Sequence, residues 1–450
     1  MLPPDPSPAP PAPRTNSPGR VLVASLVGTT IEFFDFYIYA TAAVLVFPKL
    51  FFPGSDPAVA TLESLATFAL AFFARPLGSA LFGHFGDRHG RKATLVAALV
   101  TMGCSTVAIG CLPTYGAIGR LAPLLLAACR LGQGLGLGGE WGGAVLLAIE
   151  NAPPAKRAWF GMFPQLGAPL GFLLSGGTFY VLSTVLSDDQ FLRFGWRIPF
   201  LASSVLVFVG LYVRLKISET PAFRRAIERH ERVRVPMVTL ARRHFRDVAI
   251  GTAMALVTFL IFYLLTVFCL SWGTTRLGFT RPQFLLIQMT GMVFLAAFIP
   301  CSALLADRYG RRITLMLVTA GIVVYGLVFA PLFEAGVGGV LAGMILGLSL
   351  MGLSYGALGT ALSELFPTAV RYSGASISFN LAGIFGAALA PWLAMWLAQH
   401  YGLPAVGCYL SGAALVSLLA FGLGRETRGE CFAGETAAGE PGTPTVTCTH

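Results

Sequence analysis

The stretch GDRHGRK, Gly86 to Lys92, returns as ADRYGRR, Ala306 to Arg312, starting 220 residues further on. Each copy lies between two long apolar runs. Each is followed by a second polar pair, Glu150 with Arg157 and Glu364 with Arg371, seven residues apart in both cases. A chain that repeats a charged loop together with its distant partners reads most simply as two homologous helical bundles.

Composition outside the loops agrees. Hydrophobic residues make up 55% of the 450 and charged residues 12%, with mean hydropathy +0.72. Soluble domains carry roughly 25% charged residues, so this chain has too little polar surface to face water. The net charge of +10 is no nucleic-acid signal, because the basic residues fall in short loops between apolar runs, as topology signals do. Of eight cysteines, Cys104, Cys111, Cys129, Cys269, Cys301 and Cys408 lie in or beside apolar runs, and Cys431 and Cys448 lie in the tail. They form no CxxC or Cys/His cluster, so neither a metal nor a disulfide framework is expected. The first 19 residues are proline-rich and polar, without the apolar core of a signal peptide.

Crossing the hydrocarbon takes about 20 mostly apolar residues. Twelve segments qualify: 21–47, 60–83, 93–112, 121–148, 158–182, 197–215, 248–272, 283–305, 313–333, 337–363, 372–398 and 403–424. Lipid leaves backbone groups no partners but their own, so all are helices. The predicted fold is an all-α membrane protein of twelve transmembrane helices in two pseudo-symmetric six-helix bundles. The bundles occupy 20–216 and 247–424, a polar linker spans 217–246, and disordered tails cover 1–19 and 425–450. With the N-terminus inside, only Lys49, Arg120, Arg193, Arg197, Arg276 and Arg281 fall outside, and Arg75 and Arg130 lie within spans. The other 23 of the 31 Lys and Arg are cytoplasmic, so both termini are expected there. Gly132, Gly134, Gly136, Gly138 and Gly139 in the fourth span permit close helix approach.

In the repeated loops Gly90 suits a tight turn, and Asp87 suits a helix N-terminus. Asp87, Arg88, Arg91, Glu150 and Arg157, with Asp307, Arg308, Arg311, Glu364 and Arg371 in the second half, are read as a cytoplasmic gate that latches helices in one conformation. Topology bias alone accounts for the arginines, but not for the two aspartates or the repeated Glu/Arg pair.

On these residues the chain resembles the major facilitator superfamily. GHFGDRHGRK (83–92) matches its loop signature and ADRYGRR its weaker second copy, which departs at Ala303 where the first has Gly83. GTTIEFFDFYIYA (28–40), ARPLG (74–78), RLGQGLGLGGEWGGA (130–144), FPQLGAPLG (163–171), GWRIPF (195–200) and ISETPAF (217–223) are similar to the metabolite:proton symporters, a group with shikimate, oxoglutarate, citrate and proline/betaine carriers. The resemblance covers about residues 20 to 425. It implies a monomeric, multi-pass carrier of the inner membrane that uses protons and no cofactor. In that family the RxxQG pattern, here Arg130, Gln133 and Gly134, is associated with proton coupling.

Ionisable groups within spans are expensive and mark function. Glu32 and Asp35 lie three apart on one helical face, and with Arg130 they are the proton-coupling candidates. Low dielectric favours a neutral carboxylic acid and an approaching guanidinium favours its ionised form, so relative movement would couple protonation to conformation. A static Asp35–Arg130 pair is the plainer alternative, as is a Glu140 satisfied by backbone or Arg75. Spans seven to twelve carry no mid-membrane charge, leaving Tyr263, Trp272, Gln288, Tyr355, Asn380 and Trp392 as neutral candidates. Tyr37, Gln133, Glu140, Gln165, Tyr263 and Asn380 are the expected substrate residues, with Gln165 and Asn380 facing each other across the pseudo-two-fold. The expected cargo is a carboxylate-bearing metabolite, a dicarboxylate or shikimate-like acid, with Arg130 as its cation. A zwitterionic compatible solute in an aromatic pocket is the alternative. The short tail argues against a non-transporting sensor. No Walker motif or nucleophile–base set suggests an ATP-driven pump or an enzyme.

Overall fold

The computed structural model describes residues 18–54, 56–89, 91–138, 140–150, 152–216, 240, 242–367, 370–424 and 426. The expected tails apart from 18–19 and 426, most of the expected linker with ISETPAF, Gly90, Gly139, and the side chains of Asp87, Arg88, Arg91, Lys92 and Glu150 lie outside the described residues.

Among the described residues twelve helical passes form two halves of six, and nine of these helices are by length and composition alone long and apolar enough to cross a membrane. The first six are α1 (Pro18–Leu45), α2 (Pro57–His89), α3 (Arg91–Cys111), α4 (Leu121–Leu137 continuing as Glu140–Glu150), α5 (Arg157–Val185) and α6 (Arg197–Lys216). The second six are α7 (Phe245–Thr275), α8 (Arg281–Tyr309), α9 (Arg311–Glu334), α10 (Gly336–Glu364), α11 (Arg371–Tyr401) and α12 (Leu403–Leu423). Each pass matches one of the twelve apolar segments. α1, at 28 residues, is about 42 Å long at a rise of about 1.5 Å per residue, enough for a hydrocarbon core of roughly 30 Å.

The two halves pack alike. α1 packs on α5, α2 on α4 and α3 on α6; α7 packs on α11, α8 on α10 and α9 on α12. Glycine sets the α2–α4 and α8–α10 contacts, since a Cβ at Gly134 or Gly78 would run into the Ala71 or Leu135 carbonyl. In the second half Gly352 and Gly356 sit likewise against the Leu295 and Ile299 carbonyls. Small residues that admit a neighbouring backbone are how helices associate without a hydrophobic drive. The loop glycine of the second motif, Gly310, has φ 104°, which glycine adopts without strain.

Three helices are irregular near mid-length. α4 breaks after Leu137 within GLGGEWGG. α7 and α11 each contain a π-helical turn, Leu264–Phe268 and Ile384–Ala388. Gln288 of α8 donates through Nε2 to the Leu265 and Thr266 carbonyls, at 3.1 and 2.7 Å. It therefore serves the α7 irregularity rather than a substrate. The halves meet where α5 lies on α8 and α10, and where α2 lies on α11.

Candidate functional site

A cavity opens between the halves, lined by α1, α2, α4 and α5 on one side and α7, α10 and α11 on the other. The first half lines it with Thr29, Glu32, Phe33 and Tyr37 of α1, Arg75 of α2, Leu137 and Trp141 of α4, and Ala168 of α5. The second half contributes Thr258, Phe259, Phe262 and Tyr263 of α7, Met351 and Tyr355 of α10, and Phe379 and Asn380 of α11. The free space is about 40 Å³, room for roughly three waters at 10–15 Å³ each. A metabolite is larger than this space.

Polar groups and rings tie the halves together around this space. Trp141 stacks on Phe379 with ring centroids 3.5 Å apart and planes at 4°. Its indole Nε1 donates to Gln165 Oε1 at 3.0 Å, and Gln165 Nε2 donates to the Tyr355 carbonyl at 3.1 Å. Asn380 Nδ2 donates to Ser79 Oγ at 3.0 Å and to the Gly138 carbonyl at 3.3 Å. Asn380 thus satisfies a carbonyl at the α4 break from the other half. Tyr37 packs on Phe172 and Phe262, and Tyr263 on Phe36, Phe68 and Phe72.

The charges expected to work together occupy two separate layers. Glu32 and Arg75 line the cavity and interact electrostatically. Asp35, fully buried, points into the first bundle, where its Oδ1 accepts from Ser203 Oγ at 2.5 Å. Its Oδ2 makes no hydrogen bond. Arg130 is not paired with Asp35. It donates to the Phe68 carbonyl at 3.3 Å and to Gln133 Oε1 at 2.9 Å, and lies over the rings of Phe36, Tyr39 and Phe68 at 4.2, 4.1 and 4.8 Å. Gln133 Nε2 donates to Thr106 Oγ1 at 2.8 Å, and Thr106 in turn faces Asp35. The direct pair considered from the sequence is absent because aromatic faces and Gln133 already enclose the guanidinium; Gln133 leads on to Thr106, whose hydroxyl donates to the Met102 carbonyl at 3.0 Å.

Of the expected substrate residues, Tyr37, Tyr263 and Asn380 line the cavity. Gln133 and Gln165 stand behind it as supports. Glu140, buried, lies in the second segment of α4. Gln165 and Asn380 do approach from opposite halves, but each bonds across the interface rather than to the other. Trp272 and Trp392 are elsewhere, the former stacked on Phe268 and the latter exposed. Arg75 was not read as a site residue from the sequence. The clue was available: Phe72 lies three positions before it, on the same helical face, and the two are in cation–π contact at 4.6 Å.

At the end carrying the repeated loops, Asp307 crosses between halves. Its Oδ1 accepts from the Ala158 amide at 3.1 Å and its Oδ2 from the Trp159 amide at 3.0 Å. An acid of α8 thereby caps the N-terminus of α5. Arg311 Nη2 lies 3.2 Å from Asp307 Oδ1 and its Nε 3.2 Å from Glu364 Oε2. Thr360 donates to the Arg157 carbonyl at 3.4 Å, and Arg371 Nε to the Phe366 carbonyl at 3.2 Å. Arg308 is exposed and stacks on Tyr309, away from this cluster. A further acid, Glu426, was missed: it accepts from the Arg311 and Arg312 amides at 2.9 and 3.0 Å. At the opposite end Arg281 Nη1 pairs with Asp188 Oδ1 at 3.0 Å, again between halves.

Comparison with known proteins agrees with this architecture. Residues 20–235 and 233–433 match the family described as Sugar (and other) transporter. The chain is 55% identical over 419 residues to the inner membrane metabolite transport protein YhjE of Escherichia coli K12, covering 92% of this chain and 95% of that one. It is 36% identical over 409 residues to the shikimate transporter of the same organism, covering 89% and 93%. The crystal structure of a D-xylose-proton symporter superposes with TM-score 0.70 at 19% identity, over 92% of this chain and 99% of that one. On the repeated six-helix halves and these relatives, the chain belongs to the sugar and other transporter family of the major facilitator superfamily, as a multi-pass metabolite transporter and not an enzyme.

Proposed function

We propose that the chain is a proton-coupled symporter of a small carboxylate-bearing metabolite, working by alternating access as a monomer in the inner membrane. The repeated loops and both termini face the cytoplasm. The observation that carries the proton coupling is Asp35: a carboxylate sealed inside the first bundle, with one oxygen held by Ser203 and the other unbonded. A buried polar atom without a partner is costly, and gaining or losing a proton there changes which hydrogen bonds Ser203 of α6 and Thr106 of α3 must supply. Asp35 lies three residues from Glu32 in the cavity wall and next to Phe36, which Arg75 and Arg130 both contact. A helix movement that answers protonation therefore reshapes the site. Asp307 and its partners form the cytoplasmic gate, and the Arg281–Asp188 pair stands at the outer end.

Uptake of radiolabelled carboxylates into proteoliposomes, with and without an inward proton gradient, tests this reading. Accumulation is expected only with the gradient; equal uptake in both conditions refutes coupling. A zwitterionic ammonium solute is the second reading, favoured by the rings of Tyr37, Phe259, Phe262 and Tyr263 in the wall. Glycine betaine belongs in the same panel for that reason.

A further inference from the structure

Arg75 is a buried cation that makes no hydrogen bond among the described residues, with Glu32 of the same wall as its electrostatic counterpart. It is 6% exposed and lines the cavity. Its guanidinium lies over the rings of Phe36 and Phe72, each 4.6 Å away, so stacking fixes its position. Among the described residues no hydrogen bond reaches it, and its Nε is wholly buried without a partner. Buried polar groups are normally hydrogen-bonded, and an exception calls for an explanation. Arg130 differs in being fully buried outside the cavity wall and bonded to Phe68 and Gln133, although its Nη2 also lacks a partner. A guanidinium fork held by ring stacking at a cavity wall is the complement of a carboxylate.

The rest of the wall limits how many carboxylates can enter. Among the described residues lining the cavity, Arg75 is the single cation and Glu32 the single acid. One substrate carboxylate meets Arg75. A second would lie beside Glu32 or among neutral groups, and an unpaired charge in a low-dielectric site is strongly disfavoured. Thr29, Thr258 and Asn380 offer hydrogen bonds to hydroxyl groups, and the Trp141–Phe379 stack offers a flat apolar face.

Resting on the carboxylate-symport reading, we propose that Arg75 anchors the substrate carboxylate and that the site takes hydroxylated monocarboxylates in preference to dicarboxylates. Arg75, rather than Arg130, is then the residue that selects anionic cargo.

Titration calorimetry on the full chain in detergent tests this, with shikimate, quinate, gluconate and lactate against succinate, 2-oxoglutarate and glycine betaine. At least one monocarboxylate is expected to bind about a hundredfold more tightly than either dicarboxylate. Arg75→Gln weakens that monocarboxylate about a hundredfold, in line with losing charge-assisted hydrogen bonds. Arg75→Lys, which keeps the charge and loses the fork, weakens it about tenfold. Glu32→Gln, lacking the single acid, narrows the gap by improving 2-oxoglutarate. Gel filtration and thermal unfolding check each variant, and if Arg75→Gln does not fold, Arg75→Lys and Glu32→Gln decide. Monocarboxylate affinity within threefold of the parent in the Arg75 variants, or dicarboxylates binding as tightly as monocarboxylates in the parent, overturns this assignment and leaves the symport reading standing. Binding of glycine betaine with none of the anionic carboxylates, or no binding of any anionic carboxylate, overturns both.

Discussion

Replacing Asp307 by asparagine should open the end of the molecule that carries the repeated loops. In the structure both Asp307 oxygens accept amide hydrogens from the first turn of α5, at 3.1 and 3.0 Å, and Oδ1 also lies 3.2 Å from Arg311. Asparagine keeps one acceptor and sets an NH₂ donor against the second amide. The lost cap bond costs about 1 kcal/mol, and the lost charge at a helix N-terminus about 1 kcal/mol. Losing the charge opposite Arg311, in a site where Asp307 is 12% exposed, brings the total to about 2–3 kcal/mol. These contacts cross between halves, so the loss falls on the closed state, while a solvated asparagine side chain in the open state costs little. The closed-to-open ratio should drop by a factor of roughly 30–150. Spin labels at Lys156 and Ile313, both exposed and on opposite halves, read this ratio as short- and long-distance populations in a cysteine-free background. A ratio changed by less than about threefold in a folded Asp307→Asn protein would refute the reasoning, and with it the gating role of this acid.

Further outcomes follow from particular contacts. Asp35→Asn should abolish gradient-driven accumulation while substrate exchange at equal pH continues; loss of both, or of neither, contradicts a proton-coupling role. Gly134→Ala should lower thermal stability by about 1–3 kcal/mol, because the new methyl would meet Ala71 Cα at 2.7 Å and Ala74 Cβ at 2.8 Å. The control is Gly412→Ala, which meets nothing within 4 Å and should be neutral or stabilising by up to about 1 kcal/mol. Glu426→Ala removes the carboxylate that caps α9 through the Arg311 and Arg312 amides. Hydrogen exchange at the start of α9 should quicken by about tenfold, for a cap worth about 1–2 kcal/mol; unchanged exchange would show the contact to be dispensable.

Apolar length and the repeated loop were enough to read twelve passes and their two-fold relation, because lipid allows the backbone few alternatives. The glycines of the fourth span also carried their meaning, since close approach leaves no other residue room. Side-chain partnership was less legible. Asp35 and Arg130 stand on different helices, and nothing in their spacing tells that Gln133 and Thr106 come between them. Ser203 and Thr106 are unremarkable hydroxyls in sequence and become informative only beside a buried carboxylate. Gln288 read as a ligand candidate, yet it serves carbonyls freed by a π turn that leaves no mark in composition. Arg75 was visible as an intramembrane charge, but that its Nε has no partner among the described residues is a fact of packing. The Glu426 cap joins residues more than a hundred positions apart, where no local pattern points.

The central claim, that substrate and proton move together through the site between the halves, is tested most directly by proton flux. Proteoliposomes holding a trapped pH-sensitive dye, with no imposed gradient and the membrane potential clamped, should acidify inside when a transported carboxylate is added outside. The acidification should be absent in Asp35→Asn. Substrate entry without any change of internal pH in the parent protein would contradict the account.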